Sequence, residues 1–121
     1  MRLADSERNV MEVLWENGPT RAKDVAAALA TKAKWGKTTT YTMITRCIDK
    51  GYIRREEPKF LCTPLLTKDQ VALADTQRLL DHDYNGSADL LVAALVDQKK
   101  LTLGQMEKLC EKLQEMEAQE K

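Results

Sequence analysis

The segment from Lys37 to Cys47, KTTTYTMITRC, concentrates side chains that suit contact with a polyanion. Five of its eleven residues are threonine, with Lys37 before them and Arg46 after them. A threonine hydroxyl can bond to a phosphate or a base edge, and its methyl group can lie against a thymine methyl. Arg46 can reach a phosphate or form two parallel hydrogen bonds with guanine. Threonine is a poor helix former, so a helix here would have low intrinsic stability. Such a choice of residues is expected where side chains are selected for contact with a partner.

The apolar residues of this segment predict such a helix, because Met43, Ile44, Cys47 and Ile48 follow helical spacing. Lys50-Gly51 then ends the pattern with a cation and a glycine, as helix ends commonly do. The first turn, up to Thr39, presents free backbone N–H groups that suit a phosphate. The side opposite the apolar residues is predicted to carry Lys37, Thr38, Tyr41, Thr42 and Thr45.

Charge is distributed unevenly, although the whole chain has a formal net charge of zero. Residues 1–66 hold 12 basic and 8 acidic side chains, whereas residues 67–121 hold 7 basic and 11 acidic ones. Residues 31–60 alone hold 8 basic and 3 acidic side chains. This concentration favours a polyanionic partner, and it is also compatible with an ordinary solvated face.

Two further helices are predicted before the threonine-rich one. The first carries its apolar face on Val10–Trp15 and stops at Gly18-Pro19, and the second follows Thr20 with Val25, Ala26 and Leu29 on one side. After Gly51 the period changes to about two in YIRRE and KFLCTP, which indicates a hairpin. Three helices and a hairpin in this order predict a winged helix-turn-helix DNA-binding domain over residues 1–66. The hairpin offers Arg54, Arg55 and Lys59 for phosphate contacts.

Residues 67–121 are predicted to form a helical dimerisation domain, so that the fold is mainly α with a small β-hairpin. Thr102 and Gln105 have the spacing of a capping box, and the apolar residues behind them repeat at three, four and three. A helical piece of this size has little core of its own, which favours pairing with a second copy. The alternative is that the stripe packs within its own chain. The residues predicted to support dimerisation are Leu90, Leu91, Leu95, Met106, Leu109, Leu113 and Met116.

Catalytic and cofactor chemistry finds no support in the sequence. The one histidine, His82, lies between two aspartates, and there is no metal-ligand cluster, glycine-rich phosphate loop or nucleophile with a base. The cysteines Cys47, Cys62 and Cys110 lack CxxC spacing and are predicted to be reduced and mainly structural, with Cys47 and Cys110 packed and a thiol switch as the alternative. The chain has no apolar run of about 20 residues and no signal-peptide pattern, so we expect a cytoplasmic protein without membrane insertion.

Four segments resemble the penicillinase repressor family, which has β-lactam-responsive and copper-responsive branches. They are VMEVLW at 10–15, WGKTTTYTMITRCIDKG at 35–51, the Thr63-Pro64 pair, and YNGSADLLVAALV at 84–96. The resemblance implies a homodimeric winged-helix repressor that binds a palindromic operator and pairs through its C-terminal helices. It places Thr38, Thr39, Thr42 and Arg46 on the family's DNA-reading positions.

The sequence departs from the family at several points. Lys37 and Thr38 stand where members often have proline and a basic residue, and the turn Glu57-Pro58-Lys59 is shorter than the usual wing. The tail EKLQEMEAQEK lacks the paired cysteines of the copper-responsive branch. In the β-lactam branch a protease, linked to a membrane sensor, inactivates the repressor at an Asn-Phe bond. Ala94-Leu95 occupies the matching position, although neither side chain is the same. The resemblance implies control of β-lactam resistance genes and inactivation by proteolysis, and this pair is the candidate cleavage site, which side-chain identity does not support.

Two hypotheses follow, and the inducing signal, the operator and the regulated genes stay open in both. The first is a dimeric repressor of transcription. The second is a winged-helix protein-interaction module without a DNA target. Binding to random duplex DNA should fall steeply with salt in the first case and be weak at every salt concentration in the second.

Overall fold

The computed structural model describes residues 2–120, which form six helices and one small antiparallel sheet. The N-terminal order is three helices and then a hairpin, which confirms the predicted winged-helix fold. The elements are α1 (Asp5–Asn17), β1 (Thr20–Arg21), α2 (Ala22–Lys32), α3 (Lys37–Asp49), β2 (Ile53–Glu56), β3 (Leu61–Pro64), α4 (Lys68–Asp83), α5 (Ala88–Asp97) and α6 (Leu103–Gln119).

Helix α1 contributes the largest share of the core. Val10, Met11 and Leu14 are completely buried, as their spacing predicts. The helix ends at Gly18, where a φ of 74° suits glycine and the Gly18 N–H donates to the Leu14 carbonyl at 2.7 Å. Trp15 is half-buried, and its Nε1 donates to the carbonyl of Leu66 at 2.9 Å. This bond ties the end of α1 to the segment that follows the sheet.

Helices α2 and α3 pack on α1 through their apolar sides. Val25 and Leu29 of α2 lie in the same buried cluster as Ile44 and Cys47 of α3. Because the apolar side of α3 is committed to this core, its threonine-rich side must face outward. The core therefore sets the orientation of α3.

The sheet has three strands in the order β1-β3-β2, one more than the predicted hairpin. β3 pairs on one side with β2, where Arg55 lies opposite Cys62, and on the other with β1, where Thr20 lies opposite Cys62. β1 has only two residues, so it shows no alternation of its own in the sequence. We define the wing as β2, β3 and the turn between them, residues 53–64.

The contacts divide the chain into an N-terminal unit ending at Thr76 and a C-terminal unit beginning at Gln77. This division falls inside α4, because Val71 is buried in the N-terminal core and Arg8 Nη2 donates to Asp75 Oδ2 at 2.9 Å. The first turn of α4 has a capping box, in which the Gln70 N–H donates to Thr67 Oγ1 at 3.0 Å. The domain limits 1–66 and 67–121 stay a prediction.

Within the C-terminal unit, α5 and α6 contain no buried residue. The predicted capping box opens α6: the Gln105 N–H donates to Thr102 Oγ1 at 3.1 Å, and the Thr102 N–H donates to Gln105 Oε1 at 2.8 Å. No helix formed by residues 2–120 is both long enough and apolar enough to span a membrane.

Candidate nucleic-acid interface

The outer side of α3 carries most of the predicted contact residues. Lys37, Thr38, Thr39, Thr42, Thr45 and Arg46 are exposed, and Tyr41 is half-buried. A shallow depression of about 660 Å³ runs along this side, lined by Lys37, Thr38, Tyr41, Thr42 and Thr45. The structure thus brings together the hydroxyl, methyl and cationic groups that the sequence predicts on one surface.

Thr40 differs from the other four threonines of α3. It is completely buried, and its Oγ1 donates to the carbonyl of Gly36 at 3.4 Å. Thr40 therefore belongs to the core and to the start of the helix, while its neighbours face solvent.

A chain of ring and cation contacts joins α3 to the wing. Lys37 Nζ lies 5.9 Å from the centroid of the Tyr41 ring, and the Tyr41 and Phe60 rings meet edge-on with centroids 5.8 Å apart. The Arg55 guanidinium lies 3.6 Å from the centroid of the same Phe60 ring. Such contacts are individually modest, but together they hold the wing turn against α3.

The predicted wing contacts Arg54 and Lys59 are both exposed, but their surroundings differ. Arg54 donates to Glu56 Oε1 from Nε at 3.1 Å and from Nη2 at 2.8 Å. The bonds from Arg54 and then from Thr63 hold the pKa of Glu56 below its ordinary value. Arg55 forms an ion pair with Glu57. Lys59, in the turn, forms no ion pair within residues 2–120.

Glu7 was not predicted as a functional residue, yet it fixes the end of α3. Its carboxylate is completely buried, accepts a hydrogen bond from the Ala4 N–H at 2.8 Å and lies 2.7 Å from Lys50 Nζ. Burial acts to raise the pKa of Glu7, but the Lys50 and Ala4 bonds and the nearby Arg46 charge outweigh it, so the pKa falls. The ion pair joins residues 43 positions apart, which no local pattern reveals.

The three cysteines divide into two packed thiols and one accessible thiol. Cys47 and Cys62 are completely buried, as predicted for Cys47. Burial raises the pKa of Cys47 to about 12 and that of Cys62 to about 11, so neither forms appreciable thiolate near neutral pH. The expectation that Cys110 is packed was wrong for the single chain, where this residue is exposed on α6. Among residues 2–120, no group of three side chains could hold a metal ion.

Five of the seven residues predicted to support dimerisation are exposed in the single chain. Leu90, Leu109, Leu113 and Met116 are 47–58% exposed and Leu95 is 39% exposed. Leu91 and Met106 are half-buried. The Ala94-Leu95 bond lies inside α5, with Ala94 half-buried.

Comparison with known proteins identifies the family. The family model described as "Penicillinase repressor" matches residues 3–115. The chain is 25% identical to the penicillinase repressor of Bacillus licheniformis over 116 residues, which cover 94% of this chain and 91% of that protein. It is 23% identical to the methicillin resistance regulatory protein MecI of Staphylococcus aureus, covering 88% of this chain and 89% of MecI.

Two solved structures share the fold of the N-terminal half. The solution structure of the DNA binding domain of the repressor BlaI matches 58% of this chain and 93% of that domain, with a TM-score of 0.52 and 26% identity. The Bacillus licheniformis BlaI monomeric form in complex with the blaP half-operator matches 58% and 88%, with a TM-score of 0.50 and 28% identity. The chain belongs to the penicillinase repressor family, whose members are transcriptional repressors rather than enzymes.

Proposed function

We propose that this protein represses transcription by binding, as a homodimer, to a palindromic operator in double-stranded DNA. The observation that carries the proposal is the exposed side of α3, where four threonines lie between Lys37 and Arg46. The similarity to BlaI, whose structure includes a half-operator, supports the same role for this chain.

The geometry suits insertion of α3 into the major groove. Short threonine side chains let the helix backbone approach the base edges, where hydroxyl groups bond and methyl groups pack against thymine. Arg46, one turn beyond Thr42, provides the group best able to select guanine. The first turn of α3 begins after Gly36 and supplies backbone N–H groups to a phosphate. Lys59, unpaired within the described residues, adds a phosphate contact from the wing.

The homodimer is supported by the apolar surface of α5 and α6. Leucine and methionine side chains at three- and four-residue spacing stay exposed in the single chain, as expected of a surface that a second copy covers. A two-fold dimer would present two copies of α3, and two-fold proteins bind DNA half-sites separated by about one helical turn or a multiple of it. The operator should therefore be an inverted repeat.

Selection of bound sequences from a random DNA pool tests this proposal and supplies the operator. We expect an enriched inverted repeat whose half-site centres are about 10 base pairs apart, or a multiple of that distance. Enrichment of single, unpaired half-sites would contradict the dimer. No enrichment, together with weak binding to random duplex at every salt concentration, would favour a protein-interaction module instead.

We further propose that the regulated genes confer β-lactam resistance and that a membrane-linked sensor protease ends repression in the cytoplasm. The similarity to the penicillinase repressor and to MecI supports this assignment. Ala94-Leu95 is the candidate bond, and it must leave the α5 helix before a protease can bind it in extended form. Growth of the native host with a β-lactam, followed by mass analysis of the repressor, should show fragments ending at Ala94. An intact repressor accompanied by induced genes would contradict cleavage.

A further inference from the structure

We propose that Glu56 and Glu57 are specificity determinants: they hold the wing arginines Arg54 and Arg55 in ion pairs that phosphates must displace, and so weaken binding to non-operator DNA. The inference rests on the proposed function, because it concerns how the wing meets the DNA backbone.

The first pair is held from two sides. Arg54 and Glu56 are two residues apart in β2, and alternate residues of a strand project from the same face. Arg54 makes two bonds to Glu56 Oε1, and the same oxygen accepts a hydrogen bond from Thr63 Oγ1 at 3.2 Å on the neighbouring strand β3. Glu56 is thereby anchored independently of Arg54. A phosphate that approaches the wing meets an arginine that already has a fixed anionic partner.

The second pair is also held twice. Arg55 forms its ion pair with Glu57 while its guanidinium stacks on the Phe60 ring. Phe60 in turn contacts Tyr41 of α3, so the position of Arg55 is linked to the surface that would read bases.

These pairs reduce the effective charge of the wing. Residues 53–64 contain three basic and two acidic side chains, and Lys59 is the basic one without an ion pair within the described residues. Positive charge that contacts phosphates supplies the sequence-independent part of DNA affinity. Surface ion pairs are weak, so a phosphate held close to a wing arginine can displace the carboxylate from it. When α3 is bound in register on an operator, the phosphates beside the wing are held in such positions. On random DNA no such register exists, and the carboxylate keeps the arginine.

The test compares the wild type with Glu56→Gln on random duplex and on the selected operator, between 50 and 200 mM salt. Glutamine keeps the shape of the side chain and removes its charge. Each additional phosphate bound by the protein steepens the slope of log affinity against log salt by about 0.9, which corresponds to a further loss of about 3-fold over this range. We expect that change on random duplex, together with a smaller ratio of operator to random affinity. Glu57→Gln should act in the same direction.

Two controls separate the proposal from a general charge effect. Glu111→Gln makes the same change of charge on the exposed side of α6, outside the N-terminal unit, and should leave the slope unchanged. Adding Arg54→Ala to Glu56→Gln should abolish the steeper slope, because the released arginine is then absent. Circular dichroism should show native helix content in every variant, since these side chains lie at the surface.

The outcomes distinguish this inference from the proposed function. If all proteins bind the operator but the slope of Glu56→Gln on random duplex equals that of the wild type, the inference is overturned and the repressor function stands. A steeper slope that persists in the double variant would also overturn it. If no protein binds DNA at any salt concentration, the proposed function fails and the inference fails with it.

Discussion

Thr40 and Thr42, two residues apart on α3, should respond differently to the same substitution by valine. Thr40 is completely buried and donates a hydrogen bond to the Gly36 carbonyl, whereas Thr42 is exposed and lines the depression on the outer side. Valine has nearly the shape of threonine and a similar helix propensity, so the comparison isolates the hydroxyl group. Thr40→Val should affect stability, and Thr42→Val should affect DNA binding.

The expected magnitudes follow from the environment of each hydroxyl. A hydrogen bond within a protein contributes about 0.5–1.5 kcal/mol to stability, and the long 3.4 Å separation at Thr40 places its loss at the low end, about 0.5–1 kcal/mol. Thr42→Val should change the free energy of unfolding by less than about 0.5 kcal/mol, as exposed substitutions usually do. On the operator, losing a Thr42 hydroxyl contact should cost about 1 kcal/mol, or roughly 5-fold in affinity.

Urea unfolding followed by fluorescence, and gel-shift titration on the selected operator at fixed salt, measure the two effects separately. Thr40→Val should bind the operator as the wild type does under conditions where it is fully folded. If folded Thr40→Val loses as much operator affinity as Thr42→Val, the assignment of the outer side of α3 to DNA contact is refuted.

Three further predictions concern the core, the C-terminal unit and the thiols. Glu7→Gln should lower the free energy of unfolding at pH 7 by about 2 kcal/mol, because the buried negative charge that pairs with half-exposed Lys50 is lost. Since folding lowers the pKa of Glu7 from its ordinary 4.5, the wild-type advantage should be full above that pH and decline as pH falls below it. An advantage that does not decline with falling pH would contradict this cause. Leu113→Glu should convert the dimer into a monomer in sedimentation equilibrium, and operator affinity should fall with it. The control Glu111→Gln should leave the dimer intact. A Leu113→Glu protein that stays dimeric would exclude this surface as the interface. A thiol reagent at pH 7 should modify Cys110 of the monomer quickly, and it should modify Cys47 and Cys62 only when the protein unfolds. If the dimer covers Cys110, its modification should be slower in the dimer than in the monomer. Rapid modification of Cys47 in the folded protein would contradict its packing.

The parts of the fold that were predictable are those with a local pattern. Val10, Met11 and Leu14 repeat at helical spacing, and all three are buried in α1. The apolar residues of α3 share one side of the helix, so the opposite side was predicted to face outward. The structure exposes Thr38, Thr42 and Arg46 there.

The remaining features depend on residues that are distant in the chain or too few to form a pattern. β1 has two residues and exists because β3 offers it a partner. The buried Glu7–Lys50 ion pair forms only when α1 and α3 pack together, so no local pattern in the sequence predicts it. The sequence predicts Arg54 as a phosphate contact. Its hydrogen bonds to Glu56 depend on the side-chain geometry, which the sequence does not show.

The central claim is that the outer side of α3 reads DNA, and Arg46→Ala tests it most directly. Titration of the wild type and of this variant with the selected operator, at one salt concentration, measures the contribution of Arg46. We expect operator affinity to fall by at least about 1 kcal/mol, or roughly 5-fold, and discrimination at one base position to relax. Equal affinity and equal discrimination in the two proteins would contradict the claim.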